Sequence, residues 1–303
     1  MTKIVFYSFA SHCDAGYIDV YLVLKDKGFD VNIIRYLDII PKDTDILFIT
    51  SNGLVPKNIP SHTKIFFLPH GIGNEYWWKI MNKYDEVFLA GKKPIIPPIG
   101  INNYKIIGWA KSDAIFNPRK EIIERVNDLV SNLPFNKSVL LVPTTFENIL
   151  SNLDYVVKFL EEQKINVFIP FRKTGQEYSY DVGINRYNKF KHVRIPDMDD
   201  ILNVYYFLPH IDMSISFGMT SIIREFYITK VPSMQIETYN IDANRHIYED
   251  CKIGCDSLTK FPKMFLDAWN NPSEYLQSEE VTKEFIEIND GKVIERIIKE
   301  IEK

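Results

Sequence analysis

The sequence reads as an α/β protein of two domains, each a doubly wound, Rossmann-like parallel sheet, facing each other across a central cleft. Three observations predict this. The 303 residues are too many for one simple sandwich and suit two α/β domains. Short continuous apolar runs alternate with amphipathic stretches, the pattern of parallel strands covered on both faces. The alternation then restarts after Leu133, Pro134, Phe135, Asn136 and Lys137, which read as a hinge. The expected division is a domain over 1–133, a second over 138–288, and a closing helix over 289–303 that packs back toward the first.

Taken in order, residues 4–9 form a buried first strand, bounded by the polar turn 10–16. Residues 17–27 place Ile18, Val20, Tyr21, Leu22 and Leu24 on a helical stripe that Gly28 closes. Strands follow at 31–34, 46–49, 64–68 and 86–90, then a helix at 121–132. The second cycle has strands at 138–142, 166–169, 193–195, 213–216 and 231–235. Helices at 148–163 and 221–229 lie between them. The final helix, 291–303, carries Val293, Ile294, Ile297, Ile298 and Ile301 at helical spacing.

Composition excludes several classes. Lys and Arg number 36 against 40 Asp and Glu, a net charge of -4, so the basic excess of a nucleic-acid binder is missing. No apolar run approaches the roughly 18 residues of a membrane span, and the N-terminus enters a strand with no signal-peptide pattern. Three cysteines, Cys13, Cys251 and Cys255, make no disulfide framework. The expectation is a cytoplasmic protein, with peripheral contact at the inner face of a membrane left open by the Tyr76, Trp77, Trp78 run.

The strongest local signal for chemistry lies at 212–232. A strand runs through Ser216 into Gly218, Thr220 and Ser221, and a helix opens there. Unpaired amides in its first turn favour an anion, Gly218 allows close approach of a phosphate, and Thr220 and Ser221 supply hydroxyls. Glu225, one turn on, has the acceptor-only carboxylate that could hold ribose hydroxyls; a helix cap with a solvent-facing Glu is the plainer alternative. The second signal is His70 and Gly71, after the strand at 64–68, where an imidazole of pKa about 6.5 suits general-base work. His12 and Asp14 occupy a similar place after the first strand. Lys111 and Asp113 follow another strand end, and Arg172 with Lys173 put two cations at the end of the strand at 166–169.

Other features read as structural. Asp197 and Asp199 sit in a Pro-flanked acidic turn too sparse in ligands for a hard cation. Cys251 and Cys255 lack a second pair for zinc. Neither a dinucleotide fingerprint nor a Walker loop occurs, which lowers dehydrogenase and P-loop readings.

In their order along the chain, these segments resemble the CDP-glycerol glycerophosphotransferase family, which has the GT-B fold. His70-Gly71 is similar to its base-bearing motif. Residues 108–113, Gly-Trp-Ala-Lys-Ser-Asp, resemble its Gly-aromatic turn, and Pro143-Thr144 resemble the turn opening its second domain. Ile201-Leu202, Asp212, Thr220-Ser221, Glu225 and Lys230-Val231-Pro232 fall in register with its Asp, Ser-Ser, acid and Lys-Pro positions. Asn289 to Lys292, with Glu295 and Arg296, resemble its closing helix. The sequence departs from the family at Gly218, where an Asp is usual, at Arg172-Lys173, where a second His is often found, and after Gly71, where Thr-Pro is missing. Glu225 in place of Asp is nearer to sugar-nucleotide transferases and UDP-GlcNAc 2-epimerases.

The resemblance implies transfer of glycerol phosphate, or a related polyol phosphate or sugar, from a nucleotide-diphosphate donor such as CDP-glycerol. The acceptor would be a hydroxyl of a teichoic-acid-like or capsule-like glycopolymer, or a lipid-linked form of one. His70 would be the base. Ser216, Gly218, Thr220, Ser221, Glu225, Arg172, Lys173 and Thr144 would bind the donor. His12, Asp14, Gly71, Lys111 and Asp113 would lie on the phosphate or acceptor side. It implies no cofactor and no metal. A nucleotide-sugar glycosyltransferase or 2-epimerase of the same fold, and a non-catalytic nucleotide-binding module, stay open.

Overall fold

The computed structural model describes residues 2–8, 14, 16–35, 38–50, 56–69, 71–72, 83–92, 103–143, 149–171, 180–218, 220–237, 247 and 249–303, without the side chains of 149 and 180. The chain divides into two compact units. The first comprises Met1–Asn117 with Lys283–Lys303, and the second Pro118–Thr282.

Six parallel strands build the first unit: β1 Lys3–Ser8, β2 Asp30–Arg35, β3 Ile46–Ile49, β4 Lys64–Phe67, β5 Glu86–Leu89 and β6 Tyr104–Ile106. Their order across the sheet is β2-β1-β3-β4-β5-β6. Side chains alternate between the faces of a strand, and both faces are buried, which explains the unbroken apolar runs. Ile4, Phe6, Phe48, Phe66 and Phe88 pack on one face beneath the helices Ile18–Asp26 and Val293–Ile301, while Val5, Leu47, Phe67 and Val87 fill the other. Phe6 and Phe48 stack at 4.7 Å between ring centroids, and Phe66 meets Phe88 edge-on at 5.4 Å. The final helix buries its whole apolar stripe here. Its two leading amides, Val293 and Ile294, donate to the Asp113 carboxylate at 3.1 and 2.8 Å.

The second unit repeats the plan with β7 Ser138–Val142, β8 Asn166–Phe168, β9 Val193–Arg194, β10 Met213–Phe217, β11 Ser233–Ile236 and β12 Ile253–Cys255. All are parallel, in the order β12-β11-β10-β7-β8-β9. One face carries Val139, Leu141, Val167, Met213, Ile215, Phe217, Met234 and Ile236. The helices Ile149–Glu162 and Phe261–Asn270 cover it with Leu153, Val156, Leu160, Phe261 and Phe265.

Several boundaries differ from the sequence reading, each for a local reason. The helix Lys120–Val130 belongs to the second unit, not to a domain ending at 133. Arg125 and Arg194 tie it there, donating to Asp200 O at 2.9 Å and to Leu129 O at 3.2 Å respectively. Residues 283–288 join the first unit, where the Glu287 amide donates to Ala90 O at 2.9 Å. The helix expected over 221–229 spans only Ile222–Glu225 and then tightens into a 3₁₀ turn, Phe226–Ile228. Thr229 ends it by bonding Phe226 O through its hydroxyl at 2.7 Å, after which the backbone is extended toward Pro232. The strand Ile253–Cys255 was not expected, and its three residues are too few to show a period.

Candidate functional site

In the second sheet the chain builds outward from β7 through β8 to β9, then returns to lay β10 on the other side of β7. This reversal makes the carboxyl ends of β7 and β10 the switch point, where open α/β sheets bind ligands. Ser216 and Val142 are register partners at that end. The segment singled out in the sequence begins at that end of β10.

Gly218 follows β10 with a φ of +65°. That left-handed conformation suits glycine and turns the chain sharply off the strand. Its amide is not available to an anion, because it donates to Ile236 O at 2.7 Å and extends the sheet. The amides of Thr220 and Ser221 meet no acceptor among the described residues. Thr220 Oγ1 accepts a long bond, 3.5 Å, from the Ile222 amide. Ser221 does not cap the helix; its hydroxyl donates to Glu225 Oε1 at 2.8 Å. With only four residues in the helix, the pull on an anion comes from these amides and hydroxyls more than from a macrodipole.

Glu225 is not solvent-facing. It is 0% exposed, and Tyr205 fixes its backbone by donating to Glu225 O at 2.7 Å. Ser216 is buried in β10, and its hydroxyl has no partner among the described residues.

Beside Glu225, Arg224 turns the other way into a buried ion pair that sequence reading missed. Its Nε and Nη2 donate to Asp250 Oδ2 and Oδ1 at 3.1 and 2.7 Å, and Tyr227 donates to Oδ2 at 2.7 Å. Burial raises the Asp250 carboxyl, but the Arg224 and Tyr227 bonds outweigh it and hold the group below its ordinary value. Burial and Asp250 together push the Tyr227 phenol far up, so it remains a donor.

The residues expected on the acceptor side fall in the first unit. Asp14 lies past the end of β1 and is saturated by hydrogen bonds from Ser8, Tyr17 and Arg35. Gly71 is buried just past β4. Lys111 is buried with its ammonium 5.3 Å from the centre of the Trp109 ring. Asp113 is occupied in holding the last helix, and burial raises its carboxyl against the opposing pull of the Ile294 and Val293 amides. Asp197 accepts the Asp199 amide at 3.0 Å and caps a short helix. His12, His70, Thr144, Arg172 and Lys173 lie outside the described residues. Among the described residues no group of three His, Cys, Asp or Glu converges as a metal site, and no helix is long and apolar enough to cross a membrane.

No protein-family model matches the sequence, and no curated protein matches it. Solved structures do share the fold. The wall teichoic acid polymerase TagF, in a variant soaked with CDPG, superposes with a TM-score of 0.73 at 12% identity, covering 99% of this chain and 88% of that one. MnaA of S. aureus, solved with UDP, gives 0.64 at 12% identity, covering 100% and 96%. The UDP-GlcNAc 2-epimerase of Neisseria meningitidis, bound to UDP-GlcNAc, gives 0.63 at 10% identity, covering 99% of each chain. The two parallel six-stranded sheets with flanking helices are thus those of the GT-B fold.

Proposed function

We propose that the protein is a metal-independent transferase of GT-B fold. It would move glycerol phosphate, or a related polyol phosphate or sugar, from a nucleotide-diphosphate donor such as CDP-glycerol to a hydroxyl of a cell-envelope glycopolymer. The carrying observation is the segment past β10, where two amides that meet no acceptor among the described residues and the hydroxyls of Thr220 and Ser221 stand beside the buried Glu225. The likeness to TagF supports the class of donor.

In this reading the donor pyrophosphate sits on the Thr220 and Ser221 amides and hydroxyls. Ser221 exchanges its bond to Glu225 for one to phosphate, and the freed carboxylate oxygen accepts a ribose hydroxyl, which requires the turn to open enough to expose it. Ser216 supports the turn from below. Arg172, Lys173 and Thr144 belong to the same donor side. His70 takes the proton from the attacking hydroxyl, and fixed donors and cations rather than a metal offset the charge left on the nucleotide.

A second reading is favoured by the epimerase structures of the same fold: a nucleotide-sugar enzyme that needs no acceptor. Incubation with CDP-glycerol and with UDP-sugars, with and without a glycopolymer acceptor, separates the two. Acceptor-dependent release of CMP from CDP-glycerol supports the transferase, whereas isomer or free sugar formed without acceptor supports the second reading. His70→Ala should lower turnover by about 100-fold or more and leave donor binding nearly intact. Unchanged turnover would remove His70 from the mechanism, as would activity lost to a chelator and restored by manganese remove the metal-free scheme.

A further inference from the structure

In the first sheet β1 lies between β2 and β3 and borders that sheet's own switch point, and Ser8 stands opposite Arg35 at the strand ends. A charged cluster is built there. Asp14 Oδ1 accepts from Ser8 Oγ at 2.8 Å, Tyr17 OH at 2.5 Å and Arg35 Nη1 at 2.7 Å, and Oδ2 accepts from Arg35 Nη2 at 2.5 Å. Ser8 and Tyr17 are buried, and the Tyr17 ring stacks on Phe6 at 4.8 Å. Burial, then the charge of Asp14, push the phenol far above its ordinary range, so it stays a donor. The carboxylate has no capacity left for a ligand. Its role is to hold the guanidinium in one plane.

Arg35 is the open member. A guanidinium has five N–H donors in a fixed fork. Two serve Asp14, the Tyr17 hydroxyl that shares Asp14 also interacts with the guanidinium, and no further acceptor meets it among the described residues. The side chain remains 42% exposed at the strand end. The opposing charges are Asp14 itself and Asp38, which accepts the Arg35 backbone amide at 2.6 Å. An anion gains here from geometry, a planar fork fixed in advance, because the local net charge is not positive.

We propose that Arg35 is the anion-binding residue of the acceptor site: its outer edge takes a phosphate group of the acceptor, while Asp14, Ser8 and Tyr17 are positioning residues for it. This rests on reading the first unit as the acceptor-binding half. The acceptor it selects carries phosphate and is not a neutral glycan. Two sources share that chemistry, a phosphodiester polymer end and a lipid-linked diphosphate.

The test uses the full chain and titrates it with sn-glycerol 3-phosphate, geranyl diphosphate and glycerol at constant ionic strength, reading thermal stabilisation and calorimetric affinity. The matched control is Arg186→Met. Arg186 makes the same kind of bridge to Asp154 with Tyr187 donating, at 40% exposure, but between two helices. The phosphate probes should bind the wild type and glycerol should not. Arg35→Met should lose at least tenfold in affinity for the preferred probe while Arg186→Met keeps it. Loss confined to glycerol 3-phosphate assigns the polymer end, and loss confined to geranyl diphosphate assigns the lipid. CDP binding, measured on the same variants, should be unchanged by Arg35→Met. The proposal falls if no phosphate probe binds the wild type, if Arg35→Met binds as tightly, or if Arg186→Met loses as much. Failure of CDP to bind the wild type would instead count against the donor reading, leaving the phosphate titrations to stand on their own.

Discussion

Each unit pins an arginine with an aspartate and a tyrosine, at Arg35 in the first and at Arg224 in the second, and these two triads differ in exposure. In the second unit Arg224 and Asp250 are 12% and 9% exposed, with Tyr227 donating to the carboxylate. In the first, Arg35 is 42% exposed and Asp14 17%, with Tyr17 and Ser8 donating. Identical chemistry therefore has two uses. The enclosed pair has its donors directed inward and fastens the turn that carries Ser221 and Glu225 to the backbone at 250. The open pair spends only part of its fork internally and keeps the rest for a partner.

The largest expected effect comes from breaking the enclosed pair. Arg224→Met leaves the Asp250 carboxylate in a nearly dry site, and losing one partner of such a pair costs about 3–5 kcal/mol. Urea denaturation should show it as a lower midpoint at unchanged m-value. The pair also has a pH signature. The Asp250 carboxyl is depressed in the folded state, so its contribution is complete above the unfolded value of about 4 and is lost as pH falls through the folded one. A midpoint shift under about 1 kcal/mol for Arg224→Met would erase the distinction between the triads.

Next is a buried carboxylate of the first unit. Asp113 holds the two leading amides of the final helix across 180 positions of chain. Asp113→Ala removes that cap at a cost of about 1–2 kcal/mol. Hydrogen exchange should quicken at 293–301 with no change at 149–162. Equal quickening in both helices would mean that the units do not unfold separately.

How much of this was legible depends on range. Strands such as Val5 to Tyr7 or Val139 to Leu141 announce themselves because both faces are buried and every residue must be apolar. The closing helix did so through its five-residue stripe at 293–301, and the turn at 218–221 through glycine and hydroxyls beside each other. Arg35 and Arg224 were not readable, since each looks like an ordinary charge until its aspartate arrives from 21 or 26 positions away. The unit boundaries were hidden for the same reason: Arg125 and Asp113 commit their segments through contacts with 200 and 293–294 that leave no local mark. For Glu225 the sequence left a ribose-holding carboxylate and a solvent-facing one both open, because pattern alone does not reveal its burial or the bond from Tyr205 to its carbonyl.

Acidification should also separate the units. His192 is 1% exposed in the second unit, with Nε2 3.3 Å from Val157 O. Burial lowers its pKa, against the opposing charge of Glu161. His210, in the same unit, is lowered by burial too. Both remain neutral when folded in a range where the unfolded chain takes up protons, so stability falls as pH drops below about 6.5. Each group contributes at most about 1 kcal/mol between pH 6.5 and 5.5. His192→Gln should flatten that slope, read by exchange in peptides of 149–171. A slope unchanged by the substitution would show that burial does not set the titration of this imidazole.

The smallest effect is the most discriminating. Removing the open pair should barely touch folding, since exposed ion pairs contribute about 0.2–1 kcal/mol. A double-mutant cycle over Arg35→Met and Asp14→Asn should give a coupling in that range, against several-fold more for Arg224→Met with Asp250→Asn. The Asp14 cycle includes Tyr17 and Ser8, whose hydroxyls lose part of their acceptor, so Tyr17→Phe must be measured alongside to isolate the ionic part. A coupling at Arg35 as large as that at Arg224 would mean that the fork is fully engaged in stabilising the fold. No edge of it would then remain for a phosphate, and the open triad would be a second lock like the first.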